Sequence, residues 1–516
     1  MAFSISVLAG LYGLGDLFKV ALLFAIASAL IYSVGWLIYA RTLHPYADIP
    51  GPFWASVSRL WIAYMVERGD VDKILVAVHK KYGRMVRIAP DEVSIGDPEA
   101  IKIIYSVSSG FTKTDFYDPF ATHMSPHPDL FSARDEKEHA ERRRLVNNAY
   151  SMSSILESET YIDECSQLFI QRMGEYADSG QSFDFGMWLQ MYAFDVVGTL
   201  FFGKMFGFME TRSDYGAYIT SLDTYLPVLA TNFVLPDYLR PVRPFLANLG
   251  LKRIRDAILS IVAIRQAASD VVTTRTKELK EGKVGRTDIL QKLFNVQEGK
   301  GSDGHFLLAD IEQESYVAIF AGSDTTAIAM RSILYHLMKN PKYYKKLQEE
   351  IDDASARGEL STPTVRFSEA SKLPYLIACC KEGMRMHPSV GFTLPRTVPA
   401  GGKEISGRYF PAGSKVGIYS GVIHLDRSIF GDDANVFNPD RWIEGDVANM
   451  DRYMFQFGGG SRSCVGRHIS IAEIYKMFPQ LLRDYRLDLA NPDKEWGTRS
   501  TWFNRQIGLD VKLTRR

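Results

Sequence analysis

The stretch FQFGGGSRSCVGRHISIAEIY, residues 455–475, places one cysteine among glycines and arginines directly ahead of an apolar run with helical spacing. The run over residues 469–481 predicts a helix, so Cys464 lies just before a helix start. Backbone N–H groups at such a position can stabilise a thiolate. The glycines at 458–460 and 466 allow the backbone to approach a flat ligand closely.

Several roles for this cysteine are open. A lone cysteine is most often a small buried hydrophobic residue. A structural zinc site needs further cysteines or histidines nearby, and only His468 lies within one turn. A phosphate-binding loop needs a lysine followed by serine or threonine, which GGGSRSCVG lacks. A single thiolate ligand to a cofactor agrees best with these neighbours. Haem is flat, apolar and carries two carboxylates, and Arg462 could reach such an anionic edge.

The composition is that of an ordinary globular protein. Of 516 residues, 46% are hydrophobic and 23% charged, with a formal net charge of zero, so no nucleic-acid partner is expected. The four cysteines include the adjacent pair Cys379 and Cys380. Neighbouring cysteines rarely bridge each other, so no disulfide framework is predicted and the catalytic part should face a reducing compartment.

The N-terminus differs from the rest of the chain. Residues 20–39, VALLFAIASALIYSVGWLIY, contain no charge and are long enough to cross a bilayer once. A cleaved signal peptide is the alternative, although its apolar core is usually about 7 to 15 residues long. Trp36 and Tyr39 suit the membrane interface, and Arg41 and His44 favour a cytosolic downstream side. The sequence predicts a membrane anchor over residues 1–45 and one domain over residues 46–516.

Long helical patterns dominate that domain, and strand-like segments are few. Residues 85–96, MVRIAPDEVSIG, alternate apolar and polar side chains around a turn and predict a β-hairpin. The fold class is therefore mostly α with a small β-sheet region. The predicted helices span residues 136–150, 161–176, 185–202, 253–282, 310–339 and 372–386.

The cysteine loop resembles a known signature. The pattern Phe457-x-x-Gly460-x-Arg462-x-Cys464-x-Gly466 is similar to the haem-binding motif of the cytochrome P450 monooxygenases. In that family the cysteine thiolate is the axial ligand of the iron of haem b. The resemblance implies the cytochrome P450 fold, with Cys464 as the metal ligand and the other four residues contributing to cofactor binding.

A second resemblance lies in KEGMR and FNPDRW. Glu382 and Arg385 are three residues apart, which places them on one side of a helix. Such a pair is usually a solvated surface contact. In the family, however, a Glu-x-x-Arg pair is joined by an arginine of a later segment, here Arg441. The resemblance implies a buried structural triad that holds the cysteine loop.

The longest helical pattern is interrupted by polar residues at AGSDTT, within residues 316–330. The simplest interpretation is a solvated notch. A threonine can also bond back to the carbonyl four residues earlier, here from Thr325 to Ala321, and bend or open the helix. The segment resembles the oxygen-binding groove of the family. The resemblance makes Asp324 and Thr325 an acid–alcohol pair that delivers protons to dioxygen.

Basic residues elsewhere resemble haem-propionate ligands. In DEKEHAERRRL, residues 135–145, His139 and Arg143 are four apart, and a charged exposed face is the simplest interpretation. Family members often have an aromatic residue four positions before such an arginine, and here His139 replaces it. Arg396 in TLPRTVP and Arg462 match further propionate-binding arginines.

The whole pattern resembles fungal microsomal members of the pisatin-demethylase type. That resemblance implies insertion of one atom of O2 into a lipophilic small molecule in secondary metabolism. It also implies electrons from NADPH through a separate reductase, and a location at the endoplasmic reticulum membrane with the catalytic domain in the cytosol. Alternatives are a haem-thiolate isomerase or dehydratase that does not use O2, and a non-catalytic haem sensor. Candidate substrate contacts are Phe111, Tyr117, Phe120, Met124, residues 225–245, residues 390–394, Trp502 and Phe503.

Overall fold

Helices form most of the protein. The computed structural model describes residues 14–235, 239, 252–283, 285–299 and 305–516. Its α-helices are α1 Leu14–Ile38, α2 Phe53–Val57, α3 Leu60–Arg68, α4 Val71–Tyr82, α5 Ala100–Tyr105, α6 Glu136–Val146, α7 Met152–Leu156, α8 Glu159–Ser179, α9 Phe185–Phe201, α10 Phe208–Thr211, α11 Tyr218–Val234, α12 Lys252–Lys280, α13 Ile289–Glu298, α14 Leu308–Lys339, α15 Pro341–Ala356, α16 Phe367–Ala370, α17 Pro374–Met386, α18 Ser420–Ile423, α19 Arg427–Phe430, α20 Arg441–Glu444, α21 Val447–Tyr453 and α22 Arg467–Asp484.

The strands are short and form small sheets. They are β1 Met85–Ala89, β2 Glu92–Ile95, β3 Thr112–Lys113, β4 Phe183–Asp184, β5 Arg396–Thr397, β6 Lys403–Ile405, β7 Arg408–Phe410, β8 Lys415–Gly417, β9 Tyr485–Leu489, β10 Gly497–Ser500, β11 Asn504–Ile507 and β12 Asp510–Arg515. The largest sheet has the order β1-β2-β8-β5-β3, in which β2 and β8 are parallel. The predicted hairpin is its antiparallel β1–β2 pair, with Met85 opposite Ile95. The mostly α fold class is confirmed.

The predicted helices are present, with shifted ends. Helix α14 begins two residues before the predicted start and ends at Lys339, and Pro341 begins α15 in the first turn, where its missing N–H is tolerated. Helix α6 ends at Val146, four residues earlier than predicted. Residues 147–150 form turns instead, and Ser151, whose side chain accepts a hydrogen bond from the Ser154 N–H, begins a separate helix, α7.

Two apolar clusters meet at the cysteine loop. The larger contains the buried faces of α9, α14 and α22, and Phe457 and Val465 pack against it. The smaller surrounds the five-stranded sheet and includes Phe455. The loop therefore joins the two clusters, and α14 crosses the larger one with its most extensive packing against α9.

The N-terminal helix is exposed along its apolar length. In the described part of the chain, three helices are long and apolar enough to cross a membrane: Phe18–Leu43, Arg255–Lys280 and Leu308–Lys339. The first has 0% of its most apolar window buried, whereas the last has 67% buried inside the protein.

The end of the N-terminal helix contacts the rest of the protein. Trp36 Nε1 donates a hydrogen bond to the Val57 carbonyl at 2.8 Å. Arg87, whose side chain is fully buried, donates from Nη1 to the Ala40 carbonyl at 2.7 Å and to the Tyr46 carbonyl at 3.4 Å. These bonds fix the end of the N-terminal helix and the residues after it against α2 and the β1–β2 hairpin.

Candidate active site

The cysteine loop, residues 454–466, connects α21 to α22. The Cys464 N–H donates to the Phe457 carbonyl at 2.8 Å, which closes the loop upon itself. Gly460 has a φ of +60°, and a Cβ there would overlap the Tyr105 carbonyl oxygen. Both the conformation and the close approach therefore require glycine at this position.

The Cys464 thiol opens into an internal cavity. Burial raises the pKa of this thiol, although the N–H groups of Gly466 and Arg467 and the charge of Arg143 act in the opposite direction. These donors come from the start of α22, as the sequence predicts. A bound metal ion would stabilise the thiolate form of this sulfur.

The cavity wall is mainly apolar and aromatic. Of the predicted substrate contacts, Phe111 and Met124 are not among the lining residues, and residues 236–238 and 240–245 lie outside the described residues. The predicted contacts that line the cavity are Tyr117, Phe120, Tyr225, Leu226, Leu229, Val390, Leu394, Trp502 and Phe503.

Four basic side chains line the same cavity: Lys113, Arg143, Arg396 and Arg462. Arg396 is buried in β5 and donates to the Tyr117 hydroxyl at 2.9 Å. Burial and then the charges of Arg396 and Arg462 hold the pKa of Lys113 well below its usual range. This end of the cavity therefore favours an anionic group.

Helix α6 is fastened to the cysteine loop by two of these arginines. Arg143 Nη1 donates to the Ser463 carbonyl at 2.8 Å. Arg462 pairs with Glu136 at 2.8 Å and donates to the Ala133 carbonyl at 2.8 Å. Glu136 thus offsets part of the positive charge, and both contacts fix the loop beside the cavity.

His139 is buried on α6 and lines the cavity, and its Nδ1 has no hydrogen-bond partner in the protein. Burial, followed by the charges of Arg462 and Lys113, lowers the pKa of His139 to about 3. The ring is therefore neutral near pH 7. A buried polar atom without a partner is unusual in a folded protein and indicates a missing contact.

The polar residues of α14 face two different cavities. Thr325 lines the cavity that contains Cys464, and its hydroxyl donates to the Ala321 carbonyl at 2.6 Å. Helix α14 nevertheless remains continuous from Leu308 to Lys339. Asp324 lines a second cavity and accepts a hydrogen bond from Gln190 of α9. Burial raises the pKa of Asp324 to about 6, against the charge of Arg331 and the Gln190 bond.

Glu382, Arg385 and Arg441 are brought together and buried. Glu382 accepts two hydrogen bonds from Arg385, at 2.7 and 2.8 Å, and one from Arg441 at 3.1 Å. The Trp442 indole N–H and the Asn438 backbone N–H also donate to Glu382. The carboxylate is therefore fully hydrogen-bonded, which a buried charge requires.

His424 connects this cluster to the cysteine loop. Its Nδ1 lies 3.1 Å from the Arg385 carbonyl, and its Nε2 accepts from the Phe455 N–H at 3.0 Å. Arg385 in turn donates to the His424 carbonyl at 2.6 Å. A displaced triad would therefore disturb Phe455, near the start of the cysteine loop.

A family model described as Cytochrome P450 matches residues 49–511. The chain belongs to the cytochrome P450 family. It is 42% identical over 500 residues to the cytochrome P450 monooxygenase gsfF of Penicillium aethiopicum, covering 95% of this chain and 99% of that relative. It is 32% identical over 477 residues to a pisatin demethylase of Fusarium vanettenii, covering 92% and 91% of the two chains.

These comparisons confirm the fold and the enzyme class. The protein is a P450 monooxygenase, an oxidoreductase of a family that carries haem through a cysteine thiolate. The resemblance to the pisatin-demethylase type is also confirmed.

The residues around the P450 cavity fit a haem. Gly466 lines the cavity and a Cβ at this position would meet no protein atom within 4 Å, so its backbone is open to a flat ligand. At the basic end, the unpartnered Nδ1 of His139 lies among cations that suit carboxylates. Haem is a flat dicarboxylate that contains iron. It needs a thiol for the iron, an open backbone beside its flat face and basic residues for its carboxylates.

Sequence reasoning missed several polar residues at the P450 site, among them Lys113, Gln190 and Glu314. Lys113 belongs to no recognised pattern, and its place in the cavity arises from the β3–β5 pairing. Gln190 reaches Asp324 only because α9 packs on α14. Glu314, three turns before Thr325, lines the main cavity and accepts from the Tyr150 hydroxyl at 2.7 Å. The sequence signal that could have identified Glu314 is its helical spacing, which places it on the same face of α14 as Thr325.

Proposed function

We propose that this P450 inserts one oxygen atom of O2 into a lipophilic small molecule, by hydroxylation or a related oxidation, in fungal secondary metabolism. The observation that supports it best is that Cys464, Thr325 and a largely aromatic wall line one cavity. Relatives from Penicillium, Alternaria and Fusarium that are named as cytochrome P450 monooxygenases or pisatin demethylases support the same reaction class.

In this proposal Cys464 is the iron ligand and Phe457, Gly460 and Gly466 shape the loop beneath the cofactor. Arg143, Arg396, Arg462 and His139 hold its carboxylates, and Glu382, Arg385 and Arg441 keep the loop in place. When bound, haem supplies the activation of O2. Overall, substrate, O2, NADPH and one proton give oxidised substrate, water and NADP⁺.

The chain's own residues position the substrate and supply protons. Phe120 and Trp502 form an aromatic wall of the cavity with their ring centroids 5.3 Å apart, and Phe233 stacks on Phe120 at 4.9 Å without lining the cavity itself. Such a wall excludes water and favours an apolar substrate. Thr325 presents its hydroxyl at the cavity and Asp324 is the adjacent acid, which makes proton delivery their role.

The N-terminal helix, within residues 1–45, anchors the domain of residues 46–516 to the endoplasmic reticulum membrane in a single pass, with the domain in the cytosol. The exposed apolar helix supports this placement.

Electrons come from NADPH through a separate membrane-bound reductase, because the sequence has no flavin or nicotinamide fingerprint of its own.

The proposal is tested by supplying purified holoenzyme with NADPH–cytochrome reductase and a panel of lipophilic compounds under ¹⁸O2. One labelled oxygen atom should enter the product, with matched consumption of NADPH and O2. A product formed without O2 would contradict the proposal in favour of an isomerase or dehydratase. Haem binding without turnover of any compound accumulated by a strain lacking the gene would favour a sensor.

Replacing Thr325 with alanine should uncouple electron use from product formation. The haem spectrum should be retained, because Thr325 is not a predicted haem ligand. Product per NADPH should fall by about tenfold or more, with hydrogen peroxide released instead. The measurement compares NADPH oxidation, peroxide and product.

Ser323→Ala is the matched control for this change. Ser323 makes the same kind of bond, from its hydroxyl to the Ile319 carbonyl at 2.7 Å, on the same helix but outside the cavity lining. It should leave coupling unchanged. Equal uncoupling in both variants would mean that the effect comes from helix geometry rather than from the Thr325 hydroxyl.

A further inference from the structure

Asp324 lines a second cavity beside the main one, and both charged and apolar residues form its wall. This second cavity has a volume of about 330 Å³, and Leu226 and Phe503 line both cavities. Its rim carries the exposed residues Asp223 and Arg499, so it reaches solvent. The acid therefore faces a water-accessible space, whereas its neighbour Thr325 faces the main cavity.

The hydrogen bonds around Asp324 have a fixed direction. Arg331 donates from Nη2 to the Gln190 side-chain oxygen at 2.9 Å and from Nε to the Gly186 carbonyl at 2.9 Å. A guanidinium cannot accept a hydrogen bond, so the oxygen of the Gln190 amide must face Arg331. The amide nitrogen is then the group that faces Asp324 and donates to its carboxylate.

We propose that Gln190 is a positioning residue for proton transfer, because its amide, oriented by Arg331, holds the Asp324 carboxyl toward the second cavity. Asp324 takes up a proton from water there and passes it to the Thr325 hydroxyl. That hydroxyl releases its own proton to the reacting oxygen and is restored in the same step. The inference rests on the proposed function, in which Asp324 and Thr325 deliver protons.

The surroundings of Asp324 set the sign of the expected pH effect. The charged residues that line the second cavity with Asp324 come from α14 itself, β4, α11 and the β10–β11 hairpin: Arg331, Asp184, Asp223, Arg499 and Arg505. Burial raises the pKa of Asp324 to about 6 and the Gln190 bond opposes that rise. Removing the donor should raise the pKa further, since the charged form loses a hydrogen bond.

The experiment measures product per NADPH between about pH 5 and pH 9 in Gln190→Leu and Gln190→Glu holoenzymes. Coupling depends on protonated Asp324, so it should fall as the pH rises through the pKa of this group. In both variants the midpoint of that fall should move upward by about one pH unit. Gln190→Glu keeps the size of the side chain and its bond with Arg331, so it remains informative if the leucine variant does not fold.

Thr199→Val is the matched control. Thr199 is buried on the same helix and accepts from Arg286 at 3.0 Å, away from Asp324. In this variant the midpoint of the pH-dependent fall in coupling should not move, because a loss of helix packing alone does not change the protonation of Asp324. Infrared spectra of the resting ferric proteins can be recorded across the same pH range, with the spectrum of Asp324→Asn subtracted to isolate the Asp324 carboxyl. The pKa of that carboxyl should shift upward in the Gln190 variants without any turnover.

The outcomes separate this inference from the function on which it rests. If Asp324→Asn removes the pH-dependent fall but neither Gln190 variant moves its midpoint, the positioning role is wrong and the proton relay stands. If Asp324→Asn leaves coupling and its pH dependence unchanged, the relay fails and the role of Gln190 fails with it.

Discussion

A Cys464→Ala protein is expected to lose the red-shifted Soret band of the carbon-monoxide complex that marks thiolate-ligated haem, together with all monooxygenase turnover. In this structure Cys464 is the cysteine that opens into the cavity, whereas Cys165, Cys379 and Cys380 are buried in helices. No other described thiol can therefore replace it as a ligand. Cys464 would hold the haem iron in this proposal, so its removal would take away the thiolate on which the O2 chemistry of the family depends.

Cys165→Ala controls for the general effect of removing a thiol. Cys165 is fully buried on α8, and burial raises the pKa of its thiol well above the usual range, so it is inert. This variant should keep both the spectrum and turnover, with at most a loss of stability from the small cavity created. A thiolate-type band that survives in Cys464→Ala would refute the ligand assignment.

Replacing Glu382 with alanine is expected to have the largest effect on folding. Glu382 accepts hydrogen bonds from Arg385, Arg441, Trp442 and the Asn438 N–H, and its side chain is 0% exposed. Its loss leaves the buried Arg385 guanidinium without its carboxylate and Arg441 with Asp433 alone, and breaking a buried pair in this way typically costs about 3–5 kcal/mol. Because His424 links Arg385 to Phe455, the cysteine loop should lose its position as well.

The measurement compares denaturant unfolding and the fraction of protein that carries thiolate-ligated haem. The matched control is Glu359→Ala, which breaks the ion pair between Arg357 and Glu359, a pair in which both side chains are exposed. Exposed pairs contribute little, so this control should unfold like the unchanged protein. If Glu382→Ala retained full haem content and stability, the triad would have no structural role.

The spacing of residues predicted much of this molecule because the relevant contacts are local or follow from a motif. The glycines and Cys464 lie within one loop, and the Thr325–Ala321 bond lies within one helical turn. Burial of Glu382 could not be derived from its spacing to Arg385, which is equally compatible with a surface pair. The burial of Glu382 was predicted only from the family resemblance, in which Arg441 completes the triad.

The sequence alone could not predict contacts between distant segments of the chain. Asp324 faces Gln190, which is 134 positions earlier in the chain, so the orientation of the acid depends on how α9 packs against α14. Arg462 pairs with Glu136 for the same reason, since α6 lies against the cysteine loop. Such packing, and not the local sequence pattern, decides which cavity a polar residue on a helix faces.

The bonds made by Arg87 limit how the protein can be shortened for work in solution. A version that starts at residue 46, the predicted domain boundary, would lack the Ala40 carbonyl that Arg87 Nη1 binds at 2.7 Å. A fully buried guanidinium would then lose an acceptor, at a cost of about 1–3 kcal/mol. Truncated versions that begin before residue 39 keep this acceptor, and they are the ones we expect to express as stable holoenzyme.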